Sequence, residues 1–81
     1  MKTINLTCDS KYMMAAYDGR LYFKILVPWN EHYFTPLDIY TPIKIKVSRY
    51  SEAADIVDDI KAEVIAIESI NQHQYIVARE I

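Results

Sequence analysis

The sequence predicts an α+β domain. It expects a mainly antiparallel β-sheet of five to six strands, with one amphipathic helix at about residues 51–61 packed on it. Three observations lead there. Asp18-Gly19 separates two runs of alternating polarity and holds the only glycine of the 81 residues, which is the strongest short-range signal for a β-hairpin. Ile and Val recur at alternate positions in several further segments, the pattern of half-buried strands. Ser51 precedes Ala53, Ile56, Val57 and Ile60, an N-cap followed by a helical apolar stripe.

The elements follow in chain order. Ile4, Leu6 and Cys8 alternate with Thr3, Asn5 and Thr7, a strand with one polar face. Cys8-Asp9-Ser10-Lys11 then reads as a turn, and a three-stranded meander is expected as far as Val27. A type I′ turn at Asp18-Gly19 sets Tyr17 against Arg20, Ala16 against Leu21, Ala15 against Tyr22, Met14 against Phe23, Met13 against Lys24 and Tyr12 against Ile25. That register collects Tyr12, Met14, Ala16, Leu21, Phe23 and Ile25 on a core face. It leaves Met13, Ala15, Tyr17, Arg20, Tyr22 and Lys24 on a half-wet face, and a one-residue slip would spoil both. The rival reading is a helix over Lys11 to Tyr17, since Met and Ala favour helices.

Pro28 ends the third strand, and a connection rich in aromatics runs to Pro36. Ile43, Ile45 and Val47 alternate with Lys44, Lys46 and Ser48, a strand that Pro42 starts or places at an edge. In the expected helix, Glu52, Asp55, Asp58 and Asp59 cover the outer side, and Glu52 and Asp55 suit the positive end of the helix dipole. Val64 to Ile70 is apolar at nearly every position, as in a central strand buried on both sides or covered by the helix. Asn71-Gln72-His73-Gln74 reads as a polar turn, with a return strand from Tyr75 to Ile81.

Composition bounds the function. The length suits one domain, residues 1–81, with a thin core. A net charge of −2 argues against general nucleic-acid binding, and no direct duplex DNA binding is expected. The one cysteine allows no internal disulfide and no zinc cluster, which points to a reducing compartment. Residues 1–7 lack a signal-peptide core, and no apolar run is long enough to span a bilayer. Cytoplasm and no membrane partner are therefore expected. Cys8, on the apolar side of its strand, reads as a small hydrophobe rather than a nucleophile. His32 and His73 stand far apart in sequence, with no nucleophile and acid at recognisable spacing. With a single glycine there is no phosphate-binding loop. The expectation is no enzyme, no metal and no cofactor. The sequence sets no oligomeric state.

Three surfaces could bind a partner. Trp29, His32, Tyr33 and Phe34 crowd one loop and either anchor an interface or cap the core. Glu52, Asp55, Asp58 and Asp59, with Glu63 nearby, could imitate phosphates toward a basic groove or simply be a solvated helix face. Tyr17, Arg20, Tyr22 and Lys24, with Lys44, Lys46 and Arg49, could stack single-stranded nucleic acid, although such residues also form ordinary cross-strand pairs.

Ser51-Glu52-Ala53-Ala54-Asp55-Ile56, Val64-Ile65-Ala66-Ile67-Glu68-Ser69 and Tyr75-Ile76-Val77-Ala78-Arg79-Glu80 together resemble a helix-plus-hairpin pattern of small phage-encoded inhibitors, including some anti-CRISPR proteins. That resemblance covers residues 51–80 and transfers no functional residue. It implies a non-enzymatic protein that blocks a host defence or nucleic-acid-processing complex sterically, in the host cytoplasm. The aromatic loop and acidic helix would be its partner-binding surfaces. The alternative is a small nucleic-acid-binding regulatory module that uses the basic and aromatic sheet face.

Overall fold

The computed structural model describes residues 2–27, 34–50 and 55–81, and of residues 49, 50, 55 and 56 only the backbone. Among the described residues six strands form one mixed sheet: β1 (Lys2–Leu6), β2 (Tyr12–Tyr17), β3 (Arg20–Val27), β4 (Pro42–Tyr50), β5 (Asp55–Ile70) and β6 (His73–Glu80). Their order is β1-β4-β5-β6-β3-β2. The β1–β4 pair is parallel and the other pairs are antiparallel.

The β2–β3 hairpin has the register that its turn dictates, from Tyr17 opposite Arg20 to Tyr12 opposite Ile25. Asp18 and Gly19 both take positive φ, 53° and 77°, as a type I′ turn requires. Phe23 and Ile25 are buried, and Tyr12 and Leu21 pack against them. Met14 and Ala16 depart from the expected core face and are exposed, because β2 is the last strand of the sheet and the core does not extend beneath it.

The expected helix at 51–61 is overturned. Residues 55–61 lie in β5, a single strand of 16 residues, and residues 51–54 lie outside the described residues. The fold is therefore nearly all β, not α+β. Two patterns overlap in this segment. Ile60, Ala62 and Val64 alternate with Asp59, Lys61 and Glu63, so a period of two continues past the point where the helical stripe ends. In the sheet Ile60 faces Ile45, Ala62 faces Ile43 and Asp59 faces Lys46. The first two pairs are apolar on the core side and the third is of opposite charge on the outer side, although Lys44 faces Lys61. Tertiary pairing of β-branched residues with β4 outweighs a weak local helical preference.

The apolar run in β5 has its own cause. Val64 pairs with Ala78, but Ala66 pairs with Val77, so Ile65 is the extra residue of a β-bulge. A bulge bends the strand and reverses the parity of inward positions. Before it Ala62 and Val64 face the core. After it Ile67 does, opposite the buried Ile76. Glu68, Ser69 and Ile70 end the strand exposed rather than covered.

The expected β1-β2-β3 meander is also overturned. β1 lies at the far edge, beside β4. This placement requires the sheet to roll. Leu6 lies in line with Asp58, through Val47. Tyr12 lies in line with Ile67, through Ile25 and Ile76. In a flat sheet these positions would be roughly 40 Å apart, at about 3.3 Å per residue and 4.8 Å per strand. Residues 7–11 can bridge at most about 23 Å. The sheet therefore curls about the bent β5 and brings its two edges towards each other. Ile4, Leu6, Ile45 and Val64 from one half and Phe23, Ile25 and Ile76 from the other form a single buried cluster.

One end of this core is closed by the segment before β4. Phe34 is buried. Its backbone N–H donates to Gln74 Oε1 at 2.9 Å, and its carbonyl accepts from Gln74 Nε2 at 2.6 Å. Gln74, expected in a turn, is thus a buried strand residue with its amide satisfied. The turn of this hairpin is Asn71-Gln72. Thr35 caps a 3₁₀ turn at Pro36–Asp38 in a capping box with Asp38. The Thr35 backbone N–H holds the Asp38 carboxyl below the usual carboxylate range. Burial opposes that shift, and the Lys2 ammonium 3.1 Å away adds to it. Cys8, expected on an apolar strand face, is exposed in the turn after β1.

Candidate binding face

The outer face of the rolled sheet differs between its two halves. Over β1, β4 and the first half of β5 it is polar, with Lys44 facing Lys61 and Lys46 facing Asp59. Over β2, β3 and β6 it is largely apolar and aromatic. Strand register lines up Met13, Lys24 and Val77 in one row and Ala15, Tyr22 and Arg79 in the next. A third row holds Leu26 and Tyr75, and the Leu26 N–H donates to the Lys11 carbonyl at 3.0 Å. Tyr17 meets Tyr22 edge-to-face, with ring centroids 6.3 Å apart, a favoured aromatic geometry.

Between these rows and the β5–β6 turn lies a groove of about 620 Å³. Tyr12, Met13, Leu26, Ile70 and Tyr75 form its apolar lining, and Lys11 and Lys24 flank it. Met13 is 72% exposed and Ile70 51%. Lys24 Nζ lies 3.8 Å from Glu68 and 5.8 Å from the centre of the Tyr75 ring. Both charged groups of that ion pair are about half exposed, so the pair is weak and easily exchanged. Arg79 is more firmly held. It donates to Glu63, and that hydrogen bond raises its pKa above the ordinary arginine value, with burial opposing and Tyr22 assisting. Its Nε is buried without a hydrogen-bond partner.

Of the partner-binding residues expected from the sequence, only Phe34, Asp58 and Asp59 have described side chains, and these three do not share one surface. Trp29, His32, Tyr33 and Glu52 lie outside the described residues, as does the side chain of Asp55. Phe34 is part of the core. Asp58 and Asp59 share no helix face. As neighbours on a strand they point to opposite sides, Asp59 exposed opposite Lys46 and Asp58 half-buried opposite Val47. The basic platform is divided too. Tyr17, Arg20, Tyr22 and Lys24 stay together on the hairpin, but β6 and β5 separate them from Lys44 and Lys46. Sequence reasoning did not single out Met13, Leu26, Ile70 or Tyr75. The available signal was apolar residues at both parities in β3 and β6, which marks strands with an apolar outer face.

Among the described residues, no three His, Cys, Asp or Glu side chains gather as a metal site, and no helix is long and apolar enough to cross a membrane. The chain matches no family model, no curated protein and no solved structure. The stretch expected as the helix of an inhibitor-like pattern runs as strand from Asp55 onward.

Proposed function

We propose that this chain is a non-enzymatic binding protein that engages a protein partner through the outer face of β2, β3 and β6. The observation that carries the reading is the apolar groove flanked by Lys11 and Lys24. Contiguous exposed apolar surface of this kind is costly in a soluble protein and marks interaction sites. Tyr and Met are also the residue types enriched at the centres of interfaces. The occupant is an apolar peptide segment of the partner with an acidic neighbour. Its side chains fill the groove, and its carboxylate replaces Glu68 beside Lys24. Occupying a partner's surface needs no catalytic centre. It therefore also serves the role that the resemblance implies, steric blockade of a host nucleic-acid-processing complex. A single-stranded nucleic acid suits the face less well, because Arg79 is committed to Glu63 and Lys24 is shared with Glu68.

The test is selection of peptides from a displayed random library, followed by titration of the winners into isotope-labelled protein. Enriched peptides should combine aromatic or aliphatic residues with Asp or Glu, and should shift resonances of Met13, Lys24, Leu26 and Tyr75. Lys24→Glu should weaken them about tenfold or more. Binding that leaves those resonances in place would refute the face. If an oligonucleotide moves the same resonances more tightly than the peptides do, the nucleic-acid reading takes over.

A further inference from the structure

The strand at the β2 edge carries a second feature, its free backbone edge, although Lys11, Tyr12 and Met13 also line the groove. β2 pairs with β3 on one side, and among the described residues no strand covers the other. Its sequence, Tyr-Met-Met-Ala-Ala-Tyr, holds no charge, proline or glycine. Met13 and Tyr17 are each 72% exposed and Met14 53%. Ala15 and Ala16 are exposed as well. Open edges are normally guarded by lysines, prolines or bulges within the strand. β1, the other edge, is shorter, half-buried and carries Lys2 and Asn5. β2 has no such guard.

We infer that β2 pairs antiparallel with β2 of a second copy of this chain, joining two sheets into one across a two-fold axis. Three features identify the occupant. The first is which backbone groups are free. The Leu26 N–H bonds to the Lys11 carbonyl, so alternation along the ladder commits Lys11, Met13, Ala15 and Tyr17 to β3. Tyr12, Met14 and Ala16 then direct their N–H and C=O groups outward. The second is register. A two-fold axis normal to the sheet must pair residues on the same side. Centred on Met14, it sets Met14 opposite Met14 and Tyr12 opposite Ala16, so every outward residue of both copies is used. Tyr12 then meets the small Ala16 and Met13 the small Ala15, while the two Met14 side chains meet at the axis. Centred on Ala15, it would waste Tyr12 against the Asp18 turn. The third is charge. Lys11 stands at one end of the strand and Asp18 at the other. Antiparallel pairing centred on Met14 sets Lys11 of one copy opposite Tyr17 of the second, one position from its Asp18, at both ends of the seam. Parallel pairing would put like charges together. At an exposed seam this fixes orientation more than affinity. Six residues a side is a small interface, so association falls in the micromolar range.

Sedimentation equilibrium over about 5–500 µM protein, spanning that range, reads the outcome directly. The parent should shift from 9.5 kDa towards twice that mass, and Met14→Pro and Met14→Lys should stay monomeric. Proline at position 14 removes an N–H that β3 does not use, so the hairpin keeps its ladder. Should these variants fail to fold, amide exchange in the parent decides. The Tyr12, Met14 and Ala16 amides should be protected at high concentration and exchange at least tenfold faster on dilution, while Met13 and Ala15 stay protected throughout. A parent that is monomeric at every concentration would overturn the proposal and leave the edge to a strand of a different protein. Dimers that survive Met14→Pro, or outward amides that never gain protection, would overturn it too.

Discussion

The β2–β3 and β5–β6 hairpins share one turn geometry and almost nothing else. Both turns hold two residues at positive φ: Asp18 and Gly19 at 53° and 77°, Asn71 and Gln72 at 51° and 66°. The first uses the residue types that this geometry prefers. The second places Gln72 where a side chain is strained. Their surroundings are reversed. β5 and β6 have neighbours on both sides and supply Ala62, Val64, Ile76 and Ala78 to the core. β2 is an edge strand and supplies only partly buried Tyr12. A turn sequence therefore reports where a hairpin is and in what register. It does not report how much the hairpin contributes to stability, which depends on its place in the sheet.

The largest effect that could break this comparison is at the core. Ile76→Ala, in β6 and fully buried, should cost about 2–5 kcal/mol. Met14→Ala in β2 should stay within about 1 kcal/mol. Urea midpoints check both, and similar losses would mean that β2 is not peripheral. The turns give smaller effects. A Cβ on Gly19 would meet no atom within 4 Å, so Gly19→Val is opposed chiefly by the positive φ and should cost about 1–3 kcal/mol. Gln72→Gly should instead stabilise the protein by up to about 1 kcal/mol, because glycine takes φ 66° without strain. A destabilised Gln72→Gly protein would show that the Asn71-Gln72 turn is held by something other than its backbone.

The same contrast explains how far the sequence could be read. Asp18-Gly19 fixed a register because a two-residue turn leaves one choice and polarity sorts only that choice correctly. Val27 ended β3 at Pro28, and Ile43, Ile45 and Val47 sorted β4, for equally local reasons. The segment from 55 to 61 could not be sorted locally. Ile56, Val57 and Ile60 satisfy a helical stripe, whereas Ile60, Ala62 and Val64 satisfy a strand, and only the pairing with β4 decides. Parallel pairing of β1 with β4 joins residues some 40 positions apart and leaves no local mark. The bulge at Ile65 hid a change of parity inside an apolar run. The binding face was half legible. Tyr22 and Lys24 stood out as an aromatic and basic pair, but Ile70 and Tyr75 join them only once β6 lies beside β3. Phe34 looked equally suited to an interface and to a core cap until Gln74 was seen to bind both of its backbone groups.

β5, as one strand shared by both halves of the rolled sheet, holds the fold together. Nuclear Overhauser contacts across β4 and β5 test this most directly. Backbone contacts linking Ile45 with Ile60, and Lys46 with Asp59, are the predicted result, together with contacts from Ile67 to Ile76 beyond the bulge. Sequential helical contacts between residues three apart over 55–61, with no contact to β4, would contradict it.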